Sequence, residues 1–163
     1  VKMIRQKWGN MAMSSKFKKC WVGVMDGGYA RVYRYERAAR KLILLYERDV
    51  EALQNLAEKM AEPSAGRVFD RFGQGRHVVE RRNMAEEKIE RKFVKDLIDE
   101  LEKAADHGKF EHLALIAAPR ALGYVREYMG NSLKDTIVGE FPLDLVHVPL
   151  KDLEEQVDDL LNP

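Results

Sequence analysis

Residues 20–36 read CWVGVMDGGYARVYRYE: an apolar run stopped by Asp26-Gly27-Gly28, then an alternating run. Cys20 to Met25 reads as a strand ended by turn formers. In the second half Tyr29, Arg31, Tyr33 and Tyr35 share one face and Ala30, Val32 and Arg34 the other, the period of two that marks a strand. Gly27-Gly28 joins the two as a hairpin. This hairpin predicts an antiparallel front to a sheet, and the rest of the chain is read outward from it.

Downstream, Leu42 to about Glu47 predicts a third strand, apolar enough in its middle to suggest burial on both faces. Leu53, Leu56, Ala57 and Met60 keep helical spacing, so 51–60 is a short helix, broken by Glu62-Pro63-Ser64-Ala65-Gly66. Val68 and Phe69 suggest a brief strand. Asn83, with Glu86 three residues on, matches a capping box and predicts a long helix carrying Ala85, Ile89, Phe93, Leu97, Leu101 and Ala104, ended by Gly108. HLALIAA, 112–118, is an all-apolar strand suited to a central parallel position. Pro119 opens a helix that Gly130-Asn131-Ser132 closes. The strand material of 136–148 is interrupted by Pro142, as at an edge or bend, and Pro149 opens a last amphipathic helix. The order predicts an α/β fold, a layered mixed sheet flanked by helices. Residues 1–16 show no period and read as an irregular N-terminal leader, with Met11 or Met13 as alternative starts. Residues 17–163 read as a single domain.

The 163 residues are 45% hydrophobic and 34% charged with net charge +1. No global electrostatic case for nucleic acid or membrane exists, so any such case rests on local clustering. A single cysteine, Cys20, excludes an internal disulfide and fits a reducing compartment. No apolar run approaches the roughly 20 residues of a membrane span, and no secretory signal opens the chain. A cytoplasmic protein without a membrane partner is the expectation.

The chemistry gathers at 67–82, RVFDRFGQGRHVVERR, which reads as a cationic loop. Gly73 and Gly75 bracket Gln74, freeing the backbone to project an amide that can orient water without titrating. Arg71, Arg76, Arg81 and Arg82 are candidate phosphate contacts, most strongly where they converge, and His77 a hydrogen-bonding neighbour, not a general base. A solvated connector would have the same composition. There is no phosphate-binding glycine loop or dinucleotide fingerprint. His77, His107, His112 and His147 are scattered singly, so neither a metal nor a cofactor is expected. Asp26 is either a functional carboxylate or a turn former, and Arg120 either a ligand contact at a strand end or a solvated first-turn residue. The Tyr29, Tyr33, Tyr35, Arg31 and Arg34 stripe is either a stacking surface or a strand face under a helix.

Three stretches in order, WVGVMDGGYARVYRYE, RVFDRFGQGRHVVERR and HLALIAAPRALGYVREYM, resemble the bacterial host attachment protein family over roughly 18–161. Asp26-Gly27 with Ala30-Arg31-Val32-Tyr33, Gly75-Arg76-His77 and Ala117-Ala118-Pro119-Arg120 carry the match. That family is similar in turn to the middle domain of archaeal and eukaryotic class-1 peptide release factors and of Pelota. The resemblance implies a ribonuclease-H-like domain and a ribosome, tRNA or rRNA partner met through 67–82. It also implies, as an alternative, peptidyl-tRNA hydrolysis or ribosome rescue using Gln74. The order Gly73-Gln74-Gly75 departs from the Gly-Gly-Gln of release factors, which weighs against stop-codon termination. A protein-interaction module, using the long helix or the acidic C-terminal helix, is a third reading.

Overall fold

A computed structural model of the chain describes residues 19–60 and 75–163. Its strands are β1 (Cys20–Met25), β2 (Tyr29–Glu36), β3 (Lys41–Asp49), β4 (His112–Ala117) and β5 (Ile137–Phe141). Its helices are α1 (Val50–Met60), α2 (Gly75–Asp106), α3 (Pro119–Tyr128), α4 (Asn131–Lys134) and α5 (Leu150–Leu161). The strands form one sheet in the order β3-β2-β1-β4-β5. β1 pairs antiparallel with β2, and β2 with β3; β1 and β4, and β4 and β5, pair parallel. The mixed sheet anticipated from the order of elements is therefore present, antiparallel on one side of β1 and parallel on the other.

Alternation sorts the strand residues onto two cores. Met25, Ala30, Val32, Leu113 and Leu115 pack with Phe93, Val94, Leu97, Ile98 and Leu101 of α2 and with α3 and α4. Cys20, Val22, Val24, Tyr33, Tyr35, Ala114 and Ile116 face Leu153, Val157 and Leu161 of α5. Gly108, at φ +64°, ends α2, a left-handed position that favours glycine. β5 stops at Phe141, one residue before Pro142, and α5 starts one residue after Pro149, as proline chemistry requires.

Two expectations are corrected. The run Leu42–Leu45 is not buried on both faces: β3 is the edge strand, and Ile43, Leu44 and Leu45 are 41%, 47% and 37% exposed. α2 begins at Gly75, not at Asn83, so Gly75, Arg76, His77, Arg81 and Arg82 stand on a helix instead of a loop. No helix breaker lies between Arg76 and Asn83, so the turns simply continue, and the capping-box pattern falls mid-helix. The helix opened by Pro119 ends at Tyr128, before the Gly130-Asn131-Ser132 stretch expected to close it, and Asn131–Lys134 adds a further helical turn with the Gly130 and Leu133 N–H groups accepted by Glu102. The leader 1–16, the Val68–Phe69 strand, Arg71, Gly73 and Gln74 lie outside the described residues.

The exposed edge is held by α5. Glu154, only 9% exposed, accepts the Leu42 N–H at 2.8 Å and lies 3.4 Å from Lys41 Nζ. Tyr35 donates to Asp158 at 2.9 Å, and the Asn162 amide donates to both. Arg40, at φ 52° in the β2–β3 turn, lies 3.5 Å from the same Asp158. A bulge in the β2–β3 pairing beside Leu45 breaks the regularity of the edge, and with the Glu154 contact it blunts strand addition from outside. Replacing Glu154 by Ala leaves the buried Leu42 N–H without its acceptor, so we expect an unfolding free energy lower by about 1–3 kcal/mol in urea. Glu154→Gln, which keeps an acceptor, recovers most of it; equal losses in the two variants would show that the hydrogen bond is not the source.

Candidate functional site

The basic segment and the strand ends each present a site, and they differ in charge. On α2, residues 76–86 are all exposed and the first buried side chain is Phe93. At 1.5 Å per residue the exposed turns extend about 16 Å before the helix meets the core. Arg76, Arg81 and Arg82 make no ion pair among the described residues. Arginines elsewhere are committed: Arg48 to Glu100, Arg91 to Glu87 and Glu127, Arg120 to Glu90 and Arg126 to Glu140. At about 100° per residue Arg76, Arg81 and Arg82 splay around the helix, so they do not converge as a loop would allow, whereas His77 and Arg81, four apart, share a face. Val78, Val79 and Met84 are 49%, 55% and 70% exposed, as are Leu53, Leu56 and Met60 of α1 at 49%, 55% and 77%.

Asp26 and Arg120 come together elsewhere, in a cleft of about 810 Å³ at the carboxyl ends of β1 and β4. Asp26 Oδ1 accepts the N–H groups of Gly28 at 2.8 Å and Tyr29 at 2.7 Å, which builds the hairpin turn. Its Oδ2 lies 3.6 Å from His147 Nε2, and the His147 ring stacks on Tyr29 with centroids 5.9 Å apart. Tyr29 donates its hydroxyl to Glu47, which holds the phenol above its ordinary range. Arg120 Nε lies 3.0 Å from the Tyr124 hydroxyl and 3.2 Å from Glu90 Oε2. Glu90 in turn crosses the hairpin: a Cβ on Gly27 would stand 2.8 Å from Glu90 Cγ. Asp49, Glu51 and Glu86 complete the rim. Carboxylates outnumber the one guanidinium, so the cleft disfavours phosphate, and the exposed Arg76, Arg81 and Arg82 of α2 are not among its lining residues.

Sequence reasoning missed Glu90 and His147. Neither has a local signal; each reaches the cleft only because β1 pairs with β4 and α2 lies across the sheet. Among the described residues no three His, Cys, Asp or Glu side chains converge as a metal site, and no helix is long and apolar enough to cross a membrane. Cys20 is buried, which pushes its thiol up to about 12.

Gly27→Ala should force Glu90 to withdraw and cost about 1–2 kcal/mol of stability. In the Glu90→Ala background the same change should cost much less, and additive losses in the double variant would refute the contact. Cys20 should resist a thiol reagent at pH 8 in the folded protein and react on unfolding. Because folding raises its pKa from 9.0, the stability this thiol contributes is present below pH 9 and is lost as pH climbs toward 12. Rapid labelling under native conditions would contradict the burial.

No curated protein matches the chain. Among solved structures, the type II variant of the Aquifex aeolicus Ppx/GppA phosphatase is similar at 12% identity and a TM-score of 0.34, over 76% of this chain and 35% of that one. This chain thus spans about a third of that protein's length, and a likeness so slight carries no argument. The model of the family described as protein required for attachment to host cells matches residues 21–157, and the chain belongs to that family.

Proposed function

We propose that this host-attachment-family protein acts in the cytoplasm as an RNA-binding module. Its partner on this reading is the ribosome, tRNA or rRNA, met through 67–82 and the outer turns of α2. The observation that carries the reading is the exposure of 76–86 together with the absence of carboxylate partners for Arg76, Arg81 and Arg82 among the described residues. These three exposed guanidinium groups lie along about two helical turns, and phosphate is a partner they fit. The sheet order, three antiparallel strands continued by two parallel ones, supports a ribonuclease-H-like domain akin to the middle domain of release factors. Gln74 adjoins the first residue of α2 in sequence, which keeps peptidyl-tRNA hydrolysis as an activity the same surface would serve.

A second reading, a protein-interaction module, is favoured by the exposed Leu53, Leu56 and Met60 of α1 and Val78, Val79 and Met84 of α2. It draws less on α5, whose Glu154 and Asp158 are engaged with β2 and β3. The link to host attachment is indirect on either reading.

Co-sedimentation with bacterial ribosomes at low and high salt, for wild type, Arg76→Ala/Arg81→Ala and Gln74→Ala, separates these readings. Salt-sensitive pelleting of wild type, weakened and with a flatter salt dependence in the arginine variant, is expected. Loss of peptide release from a stalled peptidyl-tRNA in Gln74→Ala alone would make the protein a hydrolase. No sedimentation above background would sink the ribosome reading, and surface proteolysis of the protein on intact cells would overturn the cytoplasmic one.

A further inference from the structure

The cations of α2 continue past Arg82. At about 100° per residue, His77, Arg81, Lys88, Lys92 and Lys95 fall within about 40° of the Lys88 direction, opposite the buried Leu97. All five are exposed. Their line runs about 27 Å along the helix. The carboxylates of this stretch, Glu80, Glu86, Glu87 and Glu90, point about 80° or more away from it, and none falls on the line before Asp99. Lys92 reaches sideways to Asp96 at 2.7 Å, an exposed pair readily exchanged for another anion. Arg81, Lys88 and Lys95 have no ion pair among the described residues. A groove of about 610 Å³ flanks the line, lined by Lys88, Arg91, Lys92 and Lys95 with the carboxylates Glu87 and Asp96 on its walls, so that cations outnumber acids there by four to two.

A solvated helix face ordinarily alternates sign at i,i+3 and i,i+4, because like charges there repel. Here Lys88 and Lys92 are four apart and Lys92 and Lys95 three apart, and the chain holds 27 acids to its 28 Lys and Arg. The acids of the outer turns, Glu80, Glu86, Glu87 and Glu90, are on the other sides of the helix, where Arg91 takes Glu87 and Arg120 takes Glu90. The repulsion is thus concentrated on one outward line and relieved, among the described residues, only by the exposed Lys92–Asp96 pair.

We propose that this seam, His77-Arg81-Lys88-Lys92-Lys95, tracks the phosphate backbone of an RNA strand, so that bound RNA lies along the outer crest of α2 instead of ending at its first turns. The proposal rests on the RNA reading above and adds the path of the strand. It requires no residue of the acidic cleft.

The test is fluorescence anisotropy with a labelled oligouridylate in about 50 to about 200 mM KCl, for three proteins. These are wild type, the triple variant Lys88→Gln/Lys92→Gln/Lys95→Gln and the corresponding Lys→Arg triple. Removing three contacts at about 0.7 each should lower the slope of log K against log salt by about 2, with affinity at low salt down on the order of tenfold or more. The arginine triple, which keeps the charge on the same exposed positions, should match wild type in both. Wild-type binding with an unchanged slope in the glutamine triple would overturn the seam and leave the RNA reading standing. Loss in the arginine triple as well would also overturn it, because the requirement would then be for lysine packing, not charge. If wild type shows no salt-dependent binding, the RNA reading falls and takes the seam with it.

Discussion

The parallel pairing of β1 with β4 is the constraint on which the rest of the molecule depends. It sets Cys20 beside His112 and Met25 beside Ala117, residues separated by most of the chain, and Ala118 N–H is accepted by the Met25 carbonyl where the strands end. Without it the hairpin β1–β2 would be a two- or three-stranded antiparallel unit with little to cover its faces. With it, β1 becomes the centre of five strands, Val22, Val24 and Met25 lose all exposure, and two faces require cover. α2 with α3 supplies one cover and α5 the other. The same pairing lines up the ends of β1 and β4, so that Asp26 and Arg120 share a cleft.

α2 answers to two demands along its 32 residues. Its inner half, from Phe93, is fixed by the sheet; among the described residues nothing buries the side chains of 76–86. An unpacked helix is marginal on propensity alone, and the outer turns carry two adjacent valines and an asparagine, none a strong helix former. They persist as a continuation of a helix whose nucleus the core already provides, since extension costs far less than initiation. That economy lets a cationic surface be displayed on a helix with no core beneath it among the described residues.

What could be read from the residues divides along the same line. The hairpin, the apolar β4, the glycine end of α2 and the proline boundaries of β5 and α5 are local signals, each with a steric or hydrogen-bonding cause within a few residues. The position of β3 was not local. Leu42 to Leu45 looks doubly buried until the β1–β4 pairing places β3 at the edge, where Glu154, more than a hundred residues away, accepts its amide. The start of α2 was missed because Gly73 and Gly75 suggest a loop, and Asn83 with Glu86 imitates a cap inside a continuous helix. Glu90 and His147 reach Asp26 and Arg120 only through tertiary structure, so no spacing could have announced the cleft.

Net charge says little about this protein because α2 itself is divided. Glu86 and Glu90 project roughly opposite the Lys88 direction and line the cleft, whereas Arg81, Lys88, Lys92 and Lys95 face outward. A chain of net charge +1 therefore presents a cationic crest and an acidic recess on two sides of one helix. A polyanion approaching from bulk solvent is attracted to one and repelled by the other, so a near-neutral molecule still fixes the side from which such a partner arrives. Exposed charges separated by more than about 8–10 Å are screened at physiological salt, which confines this sorting to the last steps of approach. At that range the local excess of cations on the crest counts for more than the overall charge balance.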